Sequence, residues 1–146
     1  MKFYKTLFFI FIFLTCSVKA DLNNNLIKEL KQGGKLIFIR HAYAPGNGDP
    51  QNFNLYDCST QRNLSENGRE QSKKIGNLFL KNKIDIKNVY SSEWCRCKET
   101  ASIAFKNFKT KKFLNSFYSS QFAKNRKKQV KEFQEFINNW DKKENL

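Results

Sequence analysis

A chain of 146 residues suffices for one domain with its own core and is too short for two. Its 27 lysines and arginines against 13 acids give a net charge of +14, the balance of a nucleic-acid binder. The basic residues are nevertheless spread along the chain among asparagines, as in "KNKIDIKNVY" and "FKNFKTKKF", with no zinc-finger spacing or aromatic RNA-binding signature, so nucleic acid is not the expected partner.

Residues 1–20, "MKFYKTLFFIFIFLTCSVKA", have the layout of a secretory signal: Lys2 and Lys5, an apolar run from Leu7 to Leu14, then Val18-Lys19-Ala20 before Asp21. The run is too short for a comfortable permanent bilayer anchor. A lipoprotein reading at Cys16 suits the bulky Leu14-Thr15 before it poorly, and an uncleaved anchor is the remaining alternative. Cleavage after Ala20 is expected, giving an exported protein, periplasmic or secreted, with no stable membrane anchor and a single domain at 21–146. Loss of three lysines leaves 24 basic and 13 acidic residues, a net +11. The oligomeric state is not encoded in any feature of the sequence.

Three cysteines remain, Cys58, Cys95 and Cys97, in a chain expected to meet oxidising conditions. Cys95 and Cys97 are too close to pair easily with each other, so Cys58 is expected to bond to one of them. The closed loop of nearly forty residues is worth at most roughly 3–4 kcal/mol. Three cysteines and a distant histidine fit no usual zinc spacing, and no metal is expected.

In chain order, "DLNNNLIKELKQGG" reads as a short helix stopped by Gly33-Gly34. "KLIFIR", residues 35–40, is a nearly unbroken apolar run, the signature of a strand buried on both faces. A polar, glycine-rich loop runs from Ala42 to about Arg62. "LSENGREQSKKIGNLFLK" opens at Ser65 as N-cap with Glu66 in the first turn, and Ile75, Leu78 and Phe79 share one face. "KNVYSS" is a second strand, "EWCRCKETASIAF" a second long helix and "KKFLNSF" a third strand. The final helix, "KKQVKEFQEFINNW", sets Val130, Phe133, Ile137 and Trp140 at helical spacing, and its apolar stripe is read as packing rather than membrane binding. Strands alternating with helices imply an α/β fold with a mostly parallel sheet.

The chain's only histidine, His41, follows Arg40 at the end of the first strand, and Ser91-Ser92 with Arg96 follow the second. Such strand ends are where parallel sheets bind ligands. Guanidiniums pair with phosphate oxygens through a planar fork, and imidazole is a nitrogen nucleophile at neutral pH. A phosphate site is the reading these residues support.

These segments resemble one family. "FIRHA" resembles the Arg-His-Gly signature of the histidine phosphatase superfamily, which has the phosphoglycerate mutase-like fold. "LSENGREQSKKIG" is similar to its Leu-Thr-x-x-Gly-x-x-Gln-Ala helix, and "SSEWCRCKETA" to its Ser-x-x-x-Arg-x-x-x-Thr-Ala segment. Order and intervals agree over roughly residues 35–105, and the long "GDPQNFNLYDCSTQRNLSENG" insert resembles the small exported branch. The resemblance implies a parallel-rich sheet with helices on both faces and a phosphorylated small-molecule substrate. His41 would become phosphorylated, Arg40 and Arg96 would grip the phosphoryl group, and Asn47 lies at the spacing of a further phosphate-binding residue in some members. The chemistry would be two-step phosphohydrolysis with no metal or organic cofactor.

Departures from the pattern qualify the activity. Ala42 replaces the usual glycine, and "LNSFYSSQF" lacks the acid that often serves as proton donor. The family carries a second histidine on a late strand beside the first one, whereas Leu146 stands where that strand would begin. The expectation is a C-terminally incomplete domain with an open sheet edge beside residues 35–40 and an impaired phosphatase activity. A non-catalytic phosphate-ligand binder or decayed remnant is the alternative.

Overall fold

The computed structural model describes residues 24–146, and the expected export signal and its cleavage point lie outside the described residues. Helix α1 spans Asn24–Lys31 and ends before Gly33 and Gly34, whose φ angles are 78° and 68°. Only glycine takes that backbone region freely. A Cβ at Gly33 would also lie 2.5 Å from the Lys143 carbonyl oxygen. The end of α1 is thus fitted closely against the chain at residues 142–143.

The next segment, residues 35–41, behaves as a strand in its side chains but not in its ladder. Ile37 packs against the buried cluster of Leu30, Phe79 and Ile84, while the neighbouring Phe38 ring meets Phe133 edge-on at 5.6 Å. Consecutive side chains therefore point to opposite sides, as extended backbone requires. Backbone pairing stops at its first rung: Ile37 N–H donates to the Leu146 carbonyl at 2.8 Å, and Leu146 N–H donates to Lys35 at 2.9 Å. The strand expected at 35–40 is paired at this one rung among the described residues.

Helix α2, Glu66–Lys81, starts where Ser65 Oγ accepts from the Gly68 amide at 3.2 Å. Its apolar face joins the Leu30 cluster through Ile75, Leu78 and Phe79. A second face is made of small buried residues four apart, Gly68, Ser72 and Gly76. A Cβ at Gly68 would fall 2.1 Å from the Tyr43 carbonyl oxygen, and one at Gly76 would fall 2.3 Å from that of Ala104. Backbone meets backbone there, so α2 lies directly on the segment after His41 and on α3, Cys95–Phe105.

Strands β1, Tyr90–Ser91, and β2, Lys109–Thr110, pair in parallel with Tyr90 opposite Lys109, and α3 is the crossover between them. This makes the chain α/β, with a two-stranded parallel sheet among the described residues rather than the larger mostly parallel sheet expected. The third strand expected in "KKFLNSF" is instead a 3-10 turn at Lys112–Leu114, two residues beyond β2. Phe113 turns inward to Phe133 and Phe136 at 5.8 and 5.3 Å, and the Gln129 amide donates to the Lys112 and Asn115 carbonyls. Those bonds hold the backbone in a turn.

A short helix α4, Ser120–Ala123, was not signalled by the sequence pattern; Phe122 pins it to Phe53 and Trp94. In α5, Arg126–Asn138, Phe133, Ile137 and Trp140 of the expected stripe are half-buried, Phe136 and the buried Gln129 join them, and Val130 alone of the stripe is exposed. With α1 and α2 on the Ile37 side and α5 on the Phe38 side, helices flank the extended segments on both faces.

Gly76→Val tests the α2–α3 approach. The added side chain meets backbone that cannot swing aside, so stability should fall by about 1–3 kcal/mol in urea unfolding. Asn77→Ala, one residue along on the exposed face, should change it by less than about 0.5 kcal/mol.

Candidate active site

His41 follows the extended segment at the point where it meets α3. The Ala42 amide donates to Thr100 Oγ1 at 3.0 Å, and the Thr100 hydroxyl donates to the Arg96 carbonyl at 2.8 Å. One helix turn of α3 therefore holds both the chain beside His41 and the arginine that faces it. His41 Nδ1 lies 2.8 Å from the Ala42 carbonyl. A carbonyl can only accept, so Nδ1 carries the proton and Nε2 keeps its lone pair. The ring is half-buried, and that burial holds its pKa below the ordinary histidine value; the bond to Ala42 opposes the shift, and the charges of Arg96, Arg62 and Arg40 reinforce it. A neutral imidazole with a free nitrogen amid guanidiniums is the form a nucleophile needs.

Arg96 is buried, and its charge is matched by Asp49. The guanidinium meets the carboxylate in a two-pronged pair, Nη1 to Oδ1 at 2.6 Å and Nη2 to Oδ2 at 3.2 Å. Trp94 Nε1 donates to Oδ2 at 3.0 Å and the Arg62 amide to Oδ1 at 3.1 Å. Burial penalises the Asp49 charge, yet the bonds from Arg96, Trp94 and Arg62 outweigh it and hold the carboxyl below its usual range. The Arg96 Nε, also buried, has no partner among the described residues.

Arg62 makes a third cation at the site. Its side chain donates to the Ala44 and Gly48 carbonyls, tying the two ends of the loop after His41 together. Burial and the neighbouring Arg96 charge lower its pKa from the ordinary arginine value, while Asp49 acts the other way. Arg40 is exposed and lines the mouth of a cavity together with His41, Ser91 and Ser92. The structure thus brings His41, Arg40 and Arg96 together at one site. Asn47 lies exposed in the loop after His41, and among the described residues no hydrogen bond joins it to His41 or the arginines.

Neither Asp49 nor Arg62 is singled out by the sequence pattern, although both left a trace. Asp49 is the one carboxylate between His41 and Asp57, and Arg62 the one charged residue between Asp57 and Glu66. A buried arginine needs such a counter-charge.

The disulfide joins Cys58 to Cys95 with Cα atoms 5.7 Å apart, and Cys97 keeps a free thiol. It staples the loop to the first residue of α3, one position before Arg96. Gln61 adds a second tie, its Oε1 accepting from the Cys95 amide at 2.9 Å. Burial pushes the Cys97 thiol up, against a hydrogen bond with Ser92, so it is protonated at neutral pH and suited to packing. Among the described residues no group of three His, Cys, Asp or Glu side chains is placed to hold a metal ion. His41 lies within the electrostatic reach of three guanidiniums, those of Arg96, Arg62 and Arg40.

Two measurements test this geometry. Asp49→Asn leaves Arg96 buried and uncompensated, and unfolding free energy should drop by about 3 kcal/mol. The stability that the lowered Asp49 pKa provides is complete above the unfolded carboxylate value, near 4, and fades as pH falls through the folded value. The mutant should therefore lack part of the parent's loss of stability in acid. His41, the only histidine in the chain, gives one ring signal in proton NMR, and its titration midpoint should lie below 6.5 and rise toward it in Arg62→Gln. A midpoint above 6.5 in the parent would rule out the cationic, desolvated setting.

A family model described as the histidine phosphatase superfamily (branch 1) matches residues 36–145. Neither a curated protein nor a solved structure matches the chain.

Proposed function

The chain belongs to the histidine phosphatase superfamily, which acts on phosphorylated small molecules, and on that premise we propose that it is an exported phosphomonoester hydrolase working through a phosphohistidine at His41. The observation that carries the reading is the free Nε2 of His41 within the field of Arg40, Arg62 and Arg96. Nε2 attacks phosphorus as the ester P–O bond breaks, the alkoxide leaves and takes up a proton, and the phosphoryl group rests on nitrogen. Water then attacks phosphorus, the N–P bond breaks, and inorganic phosphate departs from a regenerated imidazole. Guanidiniums arranged before the reaction stabilise the charge that builds on the equatorial oxygens. The free Nε of Arg96 and the exposed fork of Arg40 are the donors for those oxygens. The Cys58–Cys95 bond supports an oxidising, exported setting, and the substrate's leaving group remains open to the loop that carries Asp49 and Arg62.

Turnover is slow in this reading. The resemblance calls for a second histidine as phosphate donor, and His41 is the one histidine of this sequence. Loss of one preorganised donor costs about 100- to 1,000-fold in rate. Asp49 also holds both terminal nitrogens of Arg96, which favours a second reading, a phosphate-ligand binder that does not turn over.

Single-turnover labelling with a radioactive aryl phosphate separates the two. An enzyme should give an acid-labile label on the peptide containing "FIRHA", absent in His41→Ala and reduced about tenfold or more in Arg40→Ala and Arg96→Ala. Saturable phosphate binding with no label would assign the binder, and a label on serine or aspartate would overturn the mechanism.

A further inference from the structure

Charge is unevenly distributed along the chain. Residues 24–146 hold 24 lysines and arginines against 12 acids. Nine of those cations fall between Thr100 and Lys131, a stretch of 32 residues with no aspartate or glutamate. Most of the positive excess of the described residues is therefore carried by β2, the turn after it, α4 and the first half of α5.

The fold draws these pieces together. Gln129 in α5 donates to the Lys112 and Asn115 carbonyls at 2.8 and 2.9 Å, which seats the 3-10 turn against the helix. Lys111 Nζ stands over the Tyr90 and Phe136 rings at 5.4 and 5.8 Å, so it lies on the α5 side of β2. Lys124 closes α4 and Arg126 opens α5 two residues later. Because Gln129 is buried, Lys127 and Lys131, one turn apart, occupy the outer side of α5. The Lys128 and Lys131 side chains are 80 % and 78 % exposed.

No counter-charge from the chain answers this group at close range. Lys128 and Lys131 approach Glu132 and Glu135 at 3.7 and 3.9 Å along the solvent face of α5, pairs of little strength. Lys112, Lys124, Arg126 and Lys127 form no ion pair among the described residues. Two aromatic residues stand at its border. The Arg126 guanidinium lies 5.9 Å from the Phe117 ring centre, and Phe117 and Tyr118 are 37 % and 95 % exposed.

We propose that this surface, built on Lys111, Lys112, Lys124, Arg126, Lys127 and Lys128, docks the protein reversibly on an anionic phospholipid bilayer, with Tyr118 entering the headgroup layer. Like charges held together without acids repel one another, and a negatively charged surface relieves that repulsion at many points at once. Tyrosine suits the boundary, since its ring is apolar and its hydroxyl stays wet. The apolar stripe of α5 packs inward, so the contact uses the opposite, cationic side and stays peripheral. A single-stranded nucleic acid is matched less well. Such binders line a groove with successive aromatic platforms, whereas Phe113, Phe133 and Phe136 here are packed against one another.

The test is co-sedimentation of the whole chain with vesicles of phosphatidylcholine, plain or containing about one third phosphatidylglycerol. Binding is expected on the anionic vesicles alone, and it should fall away in about 0.5 M salt. Replacing Lys124, Arg126 and Lys127 together by glutamine should weaken it about 30- to 100-fold. Removing the same charge elsewhere, with Lys31, Lys74 and Lys81 changed to glutamine, should weaken it less than about threefold. All six positions are exposed, and an unchanged urea transition checks that each variant is folded. Tyr118→Ser should weaken vesicle binding several-fold and leave binding to heparin, a soluble polyanion, unchanged. Equal losses in the two triple variants would overturn the proposal in favour of diffuse net charge. Equal binding to neutral vesicles, or no binding to anionic ones, would overturn it outright. Heparin or single-stranded DNA bound more tightly than the anionic vesicles, with Tyr118→Ser without effect on the vesicles, would replace the bilayer by a polyanionic chain.

Discussion

The pairing of Arg96 with Asp49 is the constraint on which the site depends. A guanidinium cannot shed its charge when buried, so the fold must bring an anion to it, and the anion comes from a loop 47 residues earlier. Everything around the pair serves that meeting. The disulfide fastens the loop to the start of α3, Gln61 caps the same helix end, Trp94 supplies a donor to the carboxylate, and Arg62 closes the loop on itself. Under the proposed function a phosphate must share or displace this pair, so Asp49 would act on folding and on ligand capture in opposite directions.

The second organising element is α3. Thr100 holds the chain beside His41 and Arg96 lies one turn earlier on the same helix. Small residues on α2 let that helix press directly on α3 and on the Tyr43 backbone, which sets the depth at which His41 is held. His41 and Arg96 are thus fixed relative to one another by the packing of these elements.

Local signals were legible in the sequence where one residue's chemistry decides the outcome. Ser65 announces the start of α2, Gly33-Gly34 the end of α1, and the Arg40-His41 and Arg96 segments meet as their strand-end positions imply. Features settled by distant partners were not. The run at 35–40 reads as a buried strand, but a ladder needs a neighbour that its own residues cannot specify. Val130 looks like core by spacing, yet it is exposed, and the polar Gln129 beside it is the buried residue because it donates to the carbonyls of Lys112 and Asn115. Asp49, two residues after Asn47, enters the site because Arg96 demands a counter-charge, which no interval announces. The roles of Asp49 and Arg62 are properties of a loop path, which spacing alone does not encode.

The Asn145 contacts carry a consequence for the order of events as the chain is made. Asn145 reaches back to Leu30 and Lys35 across 115 and 110 positions. A chain emerging from its N-terminus therefore holds α1 and the residues before His41 without their final clasp until almost all of the described residues exist. Contacts of such long sequence separation form late and slowly. The segment that ends at His41 waits, apolar and unpaired, for the last part of the described chain to be synthesised.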